Sequence, residues 1–185
     1  YGIFNPENRS FQEVSFSDPV NREYGDFLWK DSLGNIYVVI KRKGIFVYDP
    51  HSQAFNTRSV HIGLPDGYRI NSIYEDDQSG LFYITCMEGL ILYDCHSGEI
   101  YSHKNNALAH PVLEKGDFNQ MSGYFIDRDR NHWITYWPKD QAIVRYNEKT
   151  GDFFDFTHAL ITQKHEYSQI DASFQAQNSE LWKFG

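Results

Sequence analysis

The sequence predicts an all-β protein, and three observations support this fold class. Aromatic residues make up 17% of the 185 residues, and Tyr and Phe are abundant whereas Met is scarce. Aromatic side chains suit the pleated surface of a sheet, while helix bundles favour Ala, Leu and Met. Apolar and polar residues alternate with a period of two in segments 81–85 and 89–94, as expected for strands. Two turn patterns also recur along the chain at similar intervals.

Composition and charge exclude several other classes of protein. Apolar residues make up 41% of the chain, enough for a buried core, and the formal net charge is −8. Broad contact with nucleic acid needs a basic surface and is therefore not expected. No apolar run approaches the roughly 18 residues that cross a membrane. Because the chain starts at Tyr1 without a leader-like segment and stops at Gly185 after an apolar stretch, we expect it to be part of a longer protein.

The first recurring pattern is an aromatic residue, then Asp or Asn, then turn residues, with an apolar residue seven positions after the aromatic. It occurs at 4–11, 48–55, 93–100 and 146–153. The copies begin 44, 45 and 53 residues apart. Asp and Asn side chains accept hydrogen bonds from their own turn, and Gly adopts positive φ, so each copy predicts two strands joined by a tight turn.

The second pattern, offset from the first, is a turn that begins with Asp and ends in an aromatic residue on a new strand. Copies occupy 31–37, 77–83 and 127–133, and a degraded copy lies at 178–182. The Asp and Gly of these turns are expected to serve backbone geometry rather than a ligand. Because the aromatic residues share one offset from the turn, we expect equivalent positions, each more than half buried, for Tyr37, Tyr83, Trp133 and Trp182.

Interleaving the two patterns gives a unit of four short antiparallel strands, which the second copy places at 71–75, 81–85, 90–93 and 99–103. Four such strands at a period of about 45 residues are typical of a β-propeller blade. The sequence therefore predicts complete blades at 25–60, 70–104 and 121–157, with half blades at 1–20 and 168–185. The two halves could close a four-bladed ring, but we favour a piece of a larger propeller because four-bladed rings are uncommon and both ends of the chain are blunt.

Helix is expected to be minor in this chain. The long connectors 107–115 and 158–164 are the candidate helical segments, and Pro111 should interrupt the first. The two cysteines are not expected to form a disulfide, because Cys86 ends one strand and Cys95 lies past the far end of the next. Five extended residues span roughly 17 Å, against about 4.4–6.8 Å for the Cα atoms of a bridged pair.

The succession Asp-x-x-Gly-x-x-aromatic, a short loop with Gly-Ile or Gly-Leu, and Tyr-Asp-x-x-x-Gly-x-Phe resembles the two-component-regulator propeller repeat. The best copies are 31–55 and 77–100. The chain departs from the repeat at Tyr37 and Tyr83, where the family usually has Trp, and at Arg130, which replaces the turn Gly. In that family the repeat builds the periplasmic sensor domain of hybrid two-component histidine kinases, common in Bacteroidetes.

The resemblance implies a sensor that carries two propellers, an immunoglobulin-like domain, an inner-membrane helix, a kinase core and often a DNA-binding output domain. Members of the family respond to breakdown products of polysaccharides. The expected role of this chain is therefore a ligand-sensing, periplasmic propeller segment without catalysis of its own. Its expected partners are an oligosaccharide, the rest of the propeller and the downstream signalling domains. Whether two copies of the chain form a homodimer is left open. The alternatives are a fragment of a propeller glycosidase or lyase, and a scaffolding propeller.

Ligand contact is expected on the face formed by the loops between second and third strands and between successive blades. Those loops combine basic residues, which suit carboxylate or sulfate groups, with aromatic residues that can stack on sugar rings. Long loops on a rigid scaffold tend to carry function. The candidate ligand-binding residues are Lys41, Arg42, Lys43, Tyr68, Arg69, Phe118, Trp137 and Tyr167.

No catalytic residue, metal site or cofactor is expected from the sequence. We find no pairing of a nucleophile with a base. The spacing of Asp and Gly differs from the sialidase Asp box, which is itself a turn motif. The eight histidines form no His-x-x-x-His set, and the cysteines form no Cys-x-x-Cys set. Most of the histidines lie in predicted turns, where an imidazole is simply solvated.

Overall fold

The computed structural model describes residues 2–16, 26–40, 43–56, 61–115, 118–137 and 143–156, and the strand backbone alone at 172–175 and 181–184. The chain divides into two compact units, Tyr1–Tyr68 and Arg69–Gly185, which are described separately. Within the described residues, no helix combines the length and the apolar character needed to span a bilayer.

The first unit contains a hairpin and one sheet. The hairpin joins β1 (Gly2–Asn5) to β2 (Ser10–Glu13), and the sheet contains β3 (Ser15–Phe16), β4 (Phe27–Lys30), β5 (Ile36–Ile40), β6 (Gly44–Asp49) and β7 (Ala54–Phe55). Strands β4 to β7 pair antiparallel in chain order. Strand β3 adds to β7 in parallel, a pairing that the sequence pattern did not predict. The apolar residues around β3 explain it, because Val14 and Phe16 pack against Val38, Phe46 and Phe55.

The second unit contains two sheets of four strands, a short helix and a hairpin. Its elements are β8 (Ile70–Asp76), β9 (Leu81–Cys86), β10 (Gly89–Asp94), β11 (Ile100–Ser102), α1 (Pro111–Lys115), β12 (Met121–Ile126), β13 (Asn131–Tyr136), β14 (Ile143–Asn147), β15 (Phe153–Asp155), β16 (Ala172–Gln175) and β17 (Leu181–Phe184). Strands β8–β11 form one antiparallel sheet, β12–β15 the next, and β16 pairs with β17. The predictions of an all-β chain and of four-stranded antiparallel units are thus confirmed.

The core of the second unit lies between its two sheets. The rings of Tyr83 on β9 and Tyr124 on β12 are stacked, with centroids 4.3 Å apart. Leu92 and Ile134 contribute to the same cluster and are fully buried. The side-chain amide of Asn71 donates to the carbonyl of Met121 at 2.6 Å. Aromatic stacking and this hydrogen bond join the two sheets face to face.

Helix α1 corrects one expectation. Pro111 was expected to interrupt the connector, whereas it begins a helix of five residues. Proline fits the first helical position because its fixed φ is helical and the first turn needs no amide donor there. The helix forms because Val112 and Leu113 are buried in the core of the second unit.

The aromatic residue of the second turn pattern occupies equivalent positions in three strands. Tyr37 pairs with Val47 across β5 and β6, Tyr83 pairs with Leu92 across β9 and β10, and Trp133 pairs with Arg145 across β13 and β14. Tyr37 is 4% exposed, Tyr83 is 1% exposed and Trp133 is more than half buried, as predicted.

The fourth member of that set, Trp182, lies on β17, but its side chain is outside the described residues. In two copies the turn Asp accepts a hydrogen bond from the aromatic residue six positions later. Tyr37 Oη donates to Asp31 at 2.9 Å, and Trp133 Nε1 donates to Asp127 at 2.8 Å. These bonds explain why Asp and the aromatic residue recur together.

The two cysteines lie at opposite ends of a strand pair. Cys86 ends β9 and is buried, whereas Cys95 follows β10 and is exposed, and neither is in a disulfide. The register places Cys86 opposite Gly89 at one end, while Asp94 pairs with Leu81 at the other. The prediction that the two cysteines form no disulfide is confirmed. The reason is the predicted one, because they lie at opposite ends of a strand pair.

Candidate functional site

Four loop segments of the second unit are joined by backbone hydrogen bonds into one surface, which we call the loop face. The amide of Met87 donates to the carbonyl of Arg69 at 3.0 Å, and the amide of Gln120 donates to the carbonyl of Met87 at 2.7 Å. The amide of Trp137 then donates to the carbonyl of Gln120 at 2.8 Å. These segments come from both kinds of loop, those between the second and third strands of a sheet and those between successive sheets, and ligand contact on this surface stays a prediction.

Arg69 is held on the loop face by Glu88. Its backbone amide donates to Glu88 Oε2 at 2.7 Å, and its Nε donates to Oε1 at 2.9 Å. The Arg69 side chain is 40% exposed. Among the described residues no acceptor binds its two terminal NH₂ groups. Such a guanidinium is oriented, solvent-accessible and able to bind a carboxylate or sulfate through two parallel hydrogen bonds.

The two aromatic residues of the loop face differ in exposure. Trp137 is 37% exposed, which leaves ring surface for stacking. Phe118 is half-buried and packs against Phe153 and Tyr136, with ring centroids 6.2 Å and 6.1 Å away. Phe118 therefore supports the loops from below, and Trp137 is the exposed aromatic residue of the connected segments.

The other predicted ligand residues lie in the first unit or outside the described residues. Lys43 lies exposed in the turn before β6, and Tyr68 lies half-buried in a turn where its amide donates to the carbonyl of Pro65. Both belong to the first unit. Lys41, Arg42 and Tyr167 lie outside the described residues.

A matched pair of β-bulges shapes the loop face and was not predicted. Asn71 is the extra residue near the start of β8, and Ser122 is the extra residue near the start of β12. Bulges bend a strand and redirect its side chains next to sites. Hydroxyl pairs mark both positions, since Ser72 bonds Thr85 at 2.7 Å and Ser122 bonds Thr135 at 3.0 Å. The recurring Ser-to-Thr pair thirteen residues apart was the available sequence signal.

At the opposite end of the sheets lies a polar network that sequence reasoning also missed. Arg130 donates to both carboxylate oxygens of Asp76 at 2.8 Å and to both of Glu148 at 2.8 Å. His132 Nε2 is hydrogen-bonded to Glu148, and Tyr124 Oη to His132 Nδ1. Because an ionised carboxylate only accepts, Nε2 carries the proton and Nδ1 accepts from Tyr124 when the imidazole is neutral.

Burial and pairing shift the protonation equilibria of this network. Burial raises the pKa of Asp76, but the hydrogen bonds from Arg130 and Ser79 outweigh it and hold the pKa below the usual value. Burial lowers the pKa of His132, although Glu148 opposes that shift. His132 is fully buried, which corrects the expectation of solvated histidines in turns, because its ring lies on β13 between the two sheets.

His110, just before α1, is the second histidine that is not simply solvated. Its Nε2 is hydrogen-bonded to Tyr83 Oη at 3.2 Å. Its Nδ1 is buried, with no hydrogen-bond partner in the described part of the chain. Burial, followed by repulsion from the nearby His132, lowers the pKa of His110 to about 4.

The stability of the folded chain is expected to fall with acid because of His110. A histidine whose folded pKa is lowered stays neutral in the folded state, while the unfolded chain takes up a proton near pH 6.5. The contribution is fully present above pH 6.5 and is lost as the pH falls toward about 4. Urea unfolding would be measured at about pH 7.0, above this window, and at about pH 5.0, within it. The free energy of unfolding should be lower at the lower pH.

The matched variant is His110→Gln, which keeps an amide near the position of Nε2 but does not titrate. The difference in free energy of unfolding between the two pH values should shrink in this variant, whatever its absolute stability. Leu33→Ala, at a side chain that is 86% exposed and carries no titratable group, supplies the control and should leave that difference unchanged. An undiminished difference in His110→Gln would contradict the assignment to His110.

The fold is similar to that of extracellular domains of bacterial two-component systems of known structure. The extracellular domain of the hybrid two-component system BT4673 from Bacteroides thetaiotaomicron matches with a TM-score of 0.71 and 17% identity over 98% of this chain. That of BT3049 from the same organism matches with a TM-score of 0.61 and 20% identity over 97%. An auxiliary nutrient binding protein of Bacteroides thetaiotaomicron matches with a TM-score of 0.51 and 11% identity over 72%.

The match covers a fraction of each solved structure. This chain spans 23% of the first, 22% of the second and 30% of the third. No protein-family model matches the sequence, and no curated protein matches it. At these identities the comparisons establish the similarity of fold.

Proposed function

We propose that this chain is a β-propeller segment of the periplasmic sensor region of a hybrid two-component system, with a role in ligand contact rather than catalysis. In this proposal the successive four-stranded sheets are propeller blades and the chain is one part of a larger ring. The similarity of fold to extracellular domains of two such systems over 97–98% of the chain supports the assignment. The share of 22–23% of those structures supports a segment of a larger assembly.

The observation that carries ligand contact is the loop face. Its backbone hydrogen bonds hold Arg69 and Trp137 on connected segments before any ligand arrives. Glu88 fixes the guanidinium through Nε, so that the terminal nitrogens are presented to solvent. A preformed site avoids the cost of ordering loops on binding. An exposed aromatic ring and an oriented guanidinium on one preformed surface suit an oligosaccharide that carries carboxylate or sulfate groups.

The opposite end of the sheets is less suited to contact with an oligosaccharide. Its turn residues are engaged in local geometry, as where the Asn147 side chain accepts from the amides of Lys149 and Thr150. Asp76 and Glu148 are both bound by Arg130, so these neighbouring carboxylates serve structure. The glycosidase alternative needs two facing carboxylates available to a substrate, and this contact favours the sensor proposal over it.

Loss of either Arg69 or Trp137 should weaken binding of an acidic oligosaccharide. The full sensor would be titrated by calorimetry with oligogalacturonides, with sulfated disaccharides and with a neutral oligosaccharide. For the acidic ligand that binds, Arg69→Ala should lower the affinity about 10–100-fold, since a charge-assisted bidentate contact contributes about 1.5–3 kcal/mol. Trp137→Ala should lower the affinity for any ligand that stacks on the ring.

Two variants away from the loop face serve as matched controls. Lys149→Ala removes an exposed cation from the turn after β14, and Phe154→Ala removes an aromatic side chain that is 55% exposed. Both should bind as the unchanged protein does. Unaltered affinity in Arg69→Ala and Trp137→Ala would remove these residues from the site. Loss of binding in Lys149→Ala with retained folding would move the site to the other end.

A further inference from the structure

The turn after β10 brings three different metal-ligating side chains together. In the described part of the chain, Asp94, Cys95 and His96 are the residues whose carboxylate, thiol and imidazole donor atoms all lie within 4.8 Å of one another. Cys95 Sγ lies 3.6 Å from His96 Nδ1, and His96 Nδ1 lies 3.4 Å from Asp94 Oδ1. The expectation of no metal site considered only separated donors, and this set is made of adjacent residues in a tight turn.

These separations match the edges of a tetrahedral zinc site. Zn²⁺ binds thiolate sulfur at about 2.3 Å, imidazole nitrogen at about 2.0–2.1 Å and carboxylate oxygen at about 2.0–2.2 Å. With tetrahedral angles these lengths give about 3.6 Å between sulfur and nitrogen and about 3.4 Å between nitrogen and oxygen. Both agree with the distances in the turn, and the sulfur and the carboxylate oxygen also lie within 4.8 Å of each other, so the three donors are close enough together to share one ion.

Hydrogen bonds to neighbouring groups also hold the turn that carries the donors in place, as is usual for the ligands of a metal. Asp94 Oδ1 accepts from the amide of His96 at 2.8 Å, and Asp94 Oδ2 accepts from Ser97 Oγ at 2.8 Å. The amide of Cys95 donates to the carbonyl of Gly80 in the neighbouring turn. Gly80 has a φ of 71°, and a Cβ there would overlap the His96 ring. Glycine thus leaves the space that the imidazole occupies.

The same turn forms elsewhere in the chain without the donor set. In the first unit Asp49 accepts from the amide of His51 at 2.9 Å and from Ser52 Oγ at 2.7 Å, but Pro50 stands where the second unit has Cys95. The turn that follows β14 has neither cysteine nor histidine. Turn formation therefore does not require the thiol and imidazole, and their presence in one copy needs another explanation.

We propose that Asp94, Cys95 and His96 form a binding site for Zn²⁺, with the fourth position open to water or to a donor from another molecule. Zinc fits because a mixed set of thiolate, imidazole and carboxylate in tetrahedral arrangement is typical of it. Cys95 binds as the thiolate, so its proton passes to solvent on binding. The His96 side chain is 76% exposed, which leaves the site open on one side.

The test is titration of the reduced, untagged chain with Zn²⁺ by calorimetry and with Co²⁺ by absorption spectroscopy. We expect one Zn²⁺ per chain, and a Co²⁺ spectrum with a thiolate charge-transfer band. Cys86 does not contribute, because it is buried and burial raises the pKa of its thiol. Loss of a residue that supports a metal ligand lowers metal affinity about 10–100-fold. Loss of a ligand itself should lower it at least as much, so Cys95→Ala and His96→Ala should each bind Zn²⁺ about 100-fold more weakly.

His51→Ala is the matched control, since it removes the imidazole from the equivalent turn without a cysteine, and it should bind as the unchanged chain does. Gly80→Ala keeps all three donors but displaces the His96 ring, so it should weaken binding about tenfold or more. Circular dichroism establishes that each variant is folded. Absence of Zn²⁺ binding by the unchanged chain, or equal affinity in Cys95→Ala, would overturn the proposal. An equal loss of affinity in His51→Ala and His96→Ala would also overturn it.

Discussion

Replacing Arg130 with glycine should destabilise the chain, even though glycine stands at the matching turn position in the other repeats. Arg130 has a φ of 62°, so glycine relieves roughly 1 kcal/mol of backbone strain. The Asp76 side chain, however, is 3% exposed and would lose its bidentate cation. Removing one partner of a buried pair costs about 3–5 kcal/mol. The free energy of unfolding from urea denaturation should therefore fall by about 2–4 kcal/mol.

Arg9→Gly provides a control with the same chemical change in a different environment. Arg9 also has a positive φ, of 55°, but it is exposed in the turn between β1 and β2. Here the relief of strain should dominate, so that the variant is as stable as the unchanged chain or slightly more stable. If Arg130→Gly behaved like Arg9→Gly, the ion pair with Asp76 would contribute nothing beyond local geometry.

Truncating Tyr83 should have a similarly large effect, by a different mechanism. Tyr83 is 1% exposed and stacks on Tyr124 of the neighbouring sheet. Tyr83→Ala removes buried aromatic surface and leaves a cavity, which should lower the free energy of unfolding by about 3–5 kcal/mol. Tyr83→Phe keeps the ring and loses only the hydrogen bond to His110, so a loss of about 1 kcal/mol is expected.

Leu33→Ala is the comparison for this series. Leu33 is 86% exposed in the turn between β4 and β5, so its truncation should change the free energy of unfolding by no more than about 0.5 kcal/mol. If Tyr83→Ala were as mild as Leu33→Ala, the packing between the two sheets of the second unit would not hold that unit together.

The turn residues illustrate how far the repeats could be predicted. The pairing of Asp31 with Tyr37, and of Asp127 with Trp133, follows from a fixed offset along the chain. In the second copy the sequence pattern singles out Asp77, but the structure uses Asp76, whose carbonyl accepts from the amide of Gly80. Asp76 also binds Arg130 of the next sheet, a contact that no local pattern contains.

The candidate sites also combine features that follow from the local sequence with contacts that only the tertiary structure sets. The sequence placed Arg69 and Trp137 on loops at one end of the strands, but it did not reveal Glu88 as the partner of Arg69, nineteen residues away. It listed Phe118 with the exposed aromatic residues, whereas the ring packs on Phe153. A loop residue turns inward or outward according to the sheet beneath it, and that sheet is contributed by distant segments.

The sequence by itself determined the fold class, the order of strands and the tight turns, because strand alternation and turn chemistry depend on residues within a few positions of each other. It also determined that Cys86 and Cys95 stay apart, since they lie at opposite ends of one strand pair. Only the tertiary structure decided which polar groups meet. Arg130 and Asp76, 54 residues apart, meet because the two sheets of the second unit lie face to face, and Glu148, 18 residues from Arg130, joins them from the same sheet as Arg130.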